Sequence, residues 1–227
     1  VGGKGACLAL LRHWRFDVPP GFVVTAAAFH TFLSTLGMDV LSERRDWAPA
    51  DLERLRELVA VLPVPPPLAR EVGRAYRRLG GRVAVRSSMV GEDGAASSFA
   101  GQLDSLLDVE GEPAVLEAVK RCWASLFNWR LMRYVEERET AIPERFAVAV
   151  VVQRMVDARS AGVAFSADPL TGQPCVVIEA AHGLGEAVVQ GTVTPDRYVV
   201  DGRGVLAEAT SAQDNAPVLD DEQVYRL

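Results

Sequence analysis

The hydrophobic and polar positions of this 227-residue chain change their period partway along it. Near the start, "ACLALLRHW" places Leu8, Leu11 and Trp14 at helical spacing, which predicts an amphipathic helix fed by the glycine turn Gly2–Gly5. A turn on Pro19-Pro20-Gly21 then leads into the short apolar strand "FVVT". "AAAFHTFLSTLG" reads as a helix stopping at Gly37. Residues 40–80 read as charged amphipathic helices, broken by "PVPPP" and ended by Gly80-Gly81. The arginines of "AREVGRAYRRLGG" form a solvated helix face. Strands are expected at Val83–Val85 and Leu103–Val109, followed by one long helix from Pro113 to Glu139. Beyond it the period becomes that of strands, in "FAVAVVVQRMV", "SAGVAFSAD", "PCVVIEAA" and "RYVVD", and "DDEQVYRL" reads as a helix beginning. Mixed α structure followed by β-rich structure predicts an α+β chain in two lobes, 1–152 and 153–227.

Composition narrows this picture. Hydrophobic residues make up 49% and charged residues 24%, as in an ordinary globular chain with a substantial core. The net charge is −6, without a block of lysine and arginine, which argues against nucleic acid as a partner. No apolar run approaches spanning length, so no membrane is expected either. Cys7, Cys122 and Cys175 are far apart and lack metal-ligand spacing, which points to buried, reduced thiols and a cytoplasmic setting. The opening "VGGKG" and the unfinished last helix read as a piece cut at both ends.

Several stretches carry candidate chemistry. In "GGKG" the glycines permit close backbone approach to an anion, and Lys4 stands at the following helix N-terminus. A structural turn with a solvated lysine fits equally. Arg86, at an expected strand end before Ser87 and Ser88, suits either a phosphate or a nearby carboxylate. The small residues from Met89 to Ser98 suit a lid over phosphates, and they favour the phosphate reading. Gln153 and Met155 close an apolar strand. They could recognise an adenine edge and face, or simply end a strand leaving the core. "HGLGEAVVQG" is not the Gly-x-Gly-x-x-Gly dinucleotide fingerprint, and His182 reads as structural. His13 and His30 lie on expected helices and receive no catalytic role.

Taken in order, "GGKGA", "VPPGFVVT", "VAVRSS", "SFAGQ", "CWASLF", "VVVQRMV", "AGVAFSADPLTG" and "GLGEAVVQG" closely resemble one family. It is the N-terminal ATP-binding domain of phosphoenolpyruvate synthases and pyruvate phosphate dikinases, shared with rifampicin phosphotransferases. The resemblance runs through essentially the whole chain. It implies an ATP-grasp-like fold with ATP held between two lobes. It also implies transfer of phosphate from ATP to a histidine on a swivelling domain and then to an acceptor such as pyruvate, on an acceptor-binding domain, leaving AMP and phosphate. By resemblance Lys4, Arg86, Gly101 and Ser105 contact the phosphates, with Lys4 and Arg86 as the catalytic pair. Gln153 reads the adenine, beside Met155.

This chain also departs from the family. Val90, Gly91 and Gly94-Ala95 stand where Thr, Ala and Leu-Pro are usual, and Ser166 and Asp168 replace Thr and Asn. The acidic segment that should bind Mg2+ and the phosphohistidine motif are expected beyond Leu227. A piece ending there should bind ATP weakly and not turn over. "GGKGA" leans toward the antibiotic phosphotransferases. A nucleotide-binding regulatory module without phosphoryl transfer is the alternative from a different class, against which Lys4 and Arg86 both count.

Overall fold

The computed structural model describes residues 1–35, 48–89, 105–128, 148–201, 203–204, 206–210 and 217–227. The chain divides into two compact units, Val1–Met155 and Val156–Leu227. Helices and antiparallel sheets occur in both, so the chain is α+β.

The most apolar runs become the middle of the first unit's sheet. Its strands are β1 (Gly21–Val24), β2 (Val83–Met89), β3 (Ser105–Val109) and β4 (Val148–Arg154), in the order β1-β4-β2-β3. The β2–β4 ladder is antiparallel, from Val83 opposite Arg154 to Met89 opposite Val148. Because side chains alternate along a strand, Val83, Val85, Val148, Val150 and Val152 share one face, and all are fully buried. Helices α2 (Ala26–Thr35), α3 (Pro49–Val61), α4 (Pro66–Leu79) and α5 (Glu112–Ala124) supply the rest of this core through Phe29, Phe32, Leu52, Val59, Val72, Val119 and Trp123. Trp123 stacks on Phe32 at 5.0 Å between ring centres. Each such side chain contributes about 1.5–3 kcal/mol when buried. Helix α4 starts at Pro66, inside the proline run, and keeps Arg70, Arg74, Arg77 and Arg78 in solvent, as its pattern predicts.

The other face of the sheet carries Ala84, Arg86 and Ser88 of β2 beside Ala149, Val151 and Gln153 of β4. Helix α1 (Gly3–His13) packs on this face, with Gly5 against Val23 and Val151.

Two expectations need correction. Strand β2 does not stop near Val85 but runs on through Ser87 and Ser88 to Met89, so Arg86 lies in mid-strand. The hydroxyls are tolerated because the ladder with β4 continues and the Ser88 hydroxyl takes the Gly5 N–H. The long helix expected to reach Glu139 ends at Ala124. There the Ser125 hydroxyl bonds the Cys122 carbonyl, and the next amides reach back three residues instead of four, which tightens and ends the helix. The Gly37 stop, the Met89–Ser98 lid beyond Met89 and Gly101 lie outside the described residues.

The second unit is a meander of β5 (Ser160–Phe165), β6 (Val176–His182), β7 (Asp196–Val200) and β8 (Leu206–Thr210), with short helices α6 (Glu186–Val189) and α7 (Asp221–Arg226). Its small core joins Ile178, Ala180, Tyr198 and Val200 to Leu219 and Val224 of the last segment. That segment is clamped by polar groups. The Leu219 N–H donates to the Tyr198 hydroxyl at 3.0 Å, and the Val218 N–H donates to the buried Asp196 carboxylate at 2.9 Å. Tyr198 in turn donates to Asp196, and burial raises the pKa of its phenol. No helix among the described residues is long and apolar enough to cross a membrane.

Candidate functional site

Arg86 stands half-buried in the middle of β2, in register with Val151 on one side and Ser105 on the other. Its Nη2 donates to Gln153 Oε1 at 2.5 Å. Its Nε is buried and has no hydrogen-bond partner among the described residues. No carboxylate among them pairs with the guanidinium, so the ion-pair reading left open by the residues has no support there. Burial lowers its pKa, yet a guanidinium remains a cation at neutral pH. A buried N–H without an acceptor costs about 1–3 kcal/mol. The site thus holds a fixed positive charge with a donor that no described residue fills.

Gln153 is 7% exposed and spends both ends of its amide inside the protein. Its Oε1 accepts from Arg86, and its Nε2 donates to the Pro19 carbonyl at 3.0 Å. Only one orientation of the amide satisfies both neighbours, because a guanidinium can only donate and a carbonyl can only accept. Gly21, opposite Gln153 in the β1–β4 ladder, lets the two strands lie close: a Cβ there would stand 2.6 Å from the Val152 carbonyl oxygen.

Lys4 lies in the first turn of α1, partly buried, in a turn that contains no acidic residue. Two contacts fix this turn on the sheet face that carries Arg86. The Gly5 N–H donates to Ser88 Oγ at 3.2 Å, and Ser88 Oγ donates to the Val1 carbonyl at 3.3 Å. Gly2 has φ 73° and ψ 166°, a region open essentially to glycine alone. A Cβ on Gly2 would lie 2.1 Å from the Ser88 carbonyl oxygen.

Of the residues singled out in the sequence, Arg86, Ser105 and Gln153 are therefore brought together, and the Lys4 turn lies on the same side of the sheet. Ser105 is exposed. Met155 follows β4 and is partly buried, with its N–H on the Arg82 carbonyl. Gly101 lies outside the described residues. Ser88 and the Pro19 carbonyl complete the arrangement, although neither stood out as a site residue. The proline pair before Gly21 was the available signal for the second. Among the described residues no group of three or more His, Cys, Asp or Glu side chains could hold a metal ion, so no Mg2+ ligand is assigned.

The family model described as the pyruvate phosphate dikinase AMP/ATP-binding domain matches residues 1–225. The chain belongs to this family. The domain is 42% identical to a probable phosphoenolpyruvate synthase of Methanothermobacter thermautotrophicus, an alignment covering 95% of the chain and 34% of that protein. It is 43% identical to the phosphoenolpyruvate synthase of Aeropyrum pernix, over 88% of the chain and 26% of the relative. It is 41% identical to a rifampicin phosphotransferase of Streptomyces sviceus, over 94% of the chain and 26% of the relative. The domain thus spans about a quarter to a third of the length of these relatives. It is an ATP-binding domain of a phosphotransferase family.

Proposed function

We propose that this domain binds ATP for a dikinase-type phosphotransferase, with an ATP-grasp-like fold. Lys4 and Arg86 grip the phosphates there, with Ser105 and Gly101 beside them, and the adenine lies toward Gln153 and Met155. The observation that carries this reading is Arg86, a half-buried guanidinium held in place by Gln153, with a buried donor unfilled and no carboxylate on it among the described residues. A phosphate oxygen supplies the missing acceptor, in a charge-assisted bond that is stronger than a neutral one. The α1 N-terminus on the same sheet face adds a favourable dipole.

The reaction passes a phosphoryl group from ATP to a histidine on a swivelling domain and from there to pyruvate or a related acceptor. With water consumed, ATP leaves as AMP and inorganic phosphate, and the acceptor leaves phosphorylated. The work of Lys4 and Arg86 is to neutralise and orient the polyphosphate, because phosphoryl transfer depends chiefly on positioning and charge. Magnesium would offset further phosphate charge, through ligands outside the residues described above.

A rifampicin-type acceptor is the second reading. It is supported by the 41% identity to a rifampicin phosphotransferase and by the wording "GGKGA". Thermal unfolding of the full-length chain with and without Mg-ATP tests the site. At a hundredfold excess over the dissociation constant, bound nucleotide should stabilise it by about 2.7 kcal/mol. Arg86→Ala should remove most of that shift, and an undiminished shift would refute the assignment. Product analysis with pyruvate and with rifampicin distinguishes the two acceptors.

A further inference from the structure

The geometry points to Gln153 as a positioning residue for Arg86: it acts on the phosphates through the guanidinium rather than by reading the base. This deepens the phosphate reading above and rests on it. A long arginine side chain alone samples many rotamers, and fixing it at the moment of binding costs affinity. Here that cost is met during folding. Gln153 Oε1 holds Nη2 of Arg86, and Gln153 is itself held by the Pro19 carbonyl through Nε2. The Pro19 carbonyl sits in a stiff place, between Val18 and Pro20 and just ahead of the β1–β4 ladder that begins at Gly21 opposite Gln153. Backbone, amide and guanidinium thus form one chain of donors and acceptors ending at the buried Nε, which has no partner among the described residues.

Positioning of Arg86 and recognition of adenine have different consequences. A base-reading glutamine affects adenosine and ATP alike and acts independently of Arg86. A positioning glutamine affects only ligands that carry phosphate, and its effect vanishes once Arg86 is gone.

The test measures binding of Mg-ATP, inorganic tripolyphosphate and adenosine to the full-length chain by calorimetry, for Arg86→Ala, Gln153→Leu and the double variant. Gln153→Leu should weaken ATP and tripolyphosphate by about tenfold, the scale of one charge-assisted hydrogen bond, and leave adenosine unchanged. Added to Arg86→Ala, it should cost almost nothing more. If Gln153→Leu does not fold, Gln153→Glu serves. It keeps an acceptor for Arg86 but adds a negative charge, and should again weaken the phosphate ligands while sparing adenosine. Equal weakening of adenosine and ATP, or losses that multiply in the double variant, overturns the positioning role while leaving Arg86 as the phosphate grip. Unchanged ATP and tripolyphosphate binding in Arg86→Ala overturns the phosphate reading and the positioning role together.

Discussion

Two glycines offer a controlled measurement of what holds the Lys4 turn on the sheet. Gly2 has φ 73° and ψ 166°, and Gly80, the cap after α4, has φ 65° and ψ 168°. Alanine is strained at either position by about 1–3 kcal/mol, because this region belongs almost wholly to glycine. The surroundings differ completely. A Cβ on Gly80 meets nothing within 4 Å, whereas on Gly2 it lies 2.1 Å from the Ser88 carbonyl oxygen and 2.3 Å from Ser88 Oγ. Since backbone cannot swing aside, the first turn of α1 has to move, which sacrifices the Gly5–Ser88 bond and adds about 0.5–1.5 kcal/mol. Gly80→Ala should therefore cost about 1–3 kcal/mol, and Gly2→Ala about 1.5–4.5 kcal/mol, from the same backbone strain and bond loss. For a chain of this size each kcal/mol lowers the melting temperature by about 2–4 °C. Urea denaturation of both variants reads the difference, and nucleotide binding gives a second readout. Gly2→Ala should also weaken ATP binding, because it displaces Lys4, whereas Gly80→Ala should not. Equal destabilisation by the two substitutions, with ATP binding intact in both, would refute the claim that Ser88 seats the Lys4 turn.

Three further outcomes follow from the polar groups. Arg86→Met should change folding stability by only about 1 kcal/mol, because relief of the orphaned Nε is offset by a stranded Gln153 oxygen; a loss above about 3 kcal/mol would show that the arginine serves the fold. Asp168 accepts N–H bonds from Leu170 and Thr171, which with help from Arg197 hold its carboxyl below the usual range. Its stabilising effect is complete above the unfolded pKa of about 3.9 and fades as pH falls through the lower folded value. Amide exchange at Leu170 and Thr171 should therefore accelerate in acid, a step that should be missing in Asp168→Asn. Tyr198→Phe should cost about 1–3 kcal/mol by leaving the Leu219 N–H unpaired, and limited proteolysis should then cut near residues 217–220. An unchanged cleavage pattern would count against the clamp.

Much of the fold was legible because burial imposes a period. The strands from "FAVAVVVQRMV" to "RYVVD" and the solvated arginine face of α4 could be read from spacing alone, whereas β8 was not expected. Where a polar residue is satisfied by a distant partner, spacing misleads. Ser87 and Ser88 read as the end of a strand, yet Ser88 is buried against a glycine turn that lies far away in sequence. The end of α5 was hidden for a related reason. Leu126 and Phe127 are buried at positions that continue a helical period, and only the Ser125 hydroxyl betrays the break. Arg86 and Gln153 stand out from their own residue types and positions, and Ser105 from the resemblance alone. That the first two touch each other was not legible, since no local pattern links residues 67 positions apart.

The strand order also sets a timetable for synthesis. β1 ends at Val24, but its partner β4 begins at Val148 and is also the neighbour of β2. At about 5–20 residues per second, the ribosome needs on the order of 6–25 s to deliver the last strand after the first has emerged. Until β4 arrives, β1 and the β4-side edge of β2 lack their partner strand, and α2 has no finished core on which to lay Phe29 and Phe32. A nascent chain halted before Val148 cannot complete the sheet, and holding such chains apart becomes a task for chaperones. Pro20, just ahead of β1, lies on the same waiting segment, so a strand made long before its partner is among the last of this sheet to be secured.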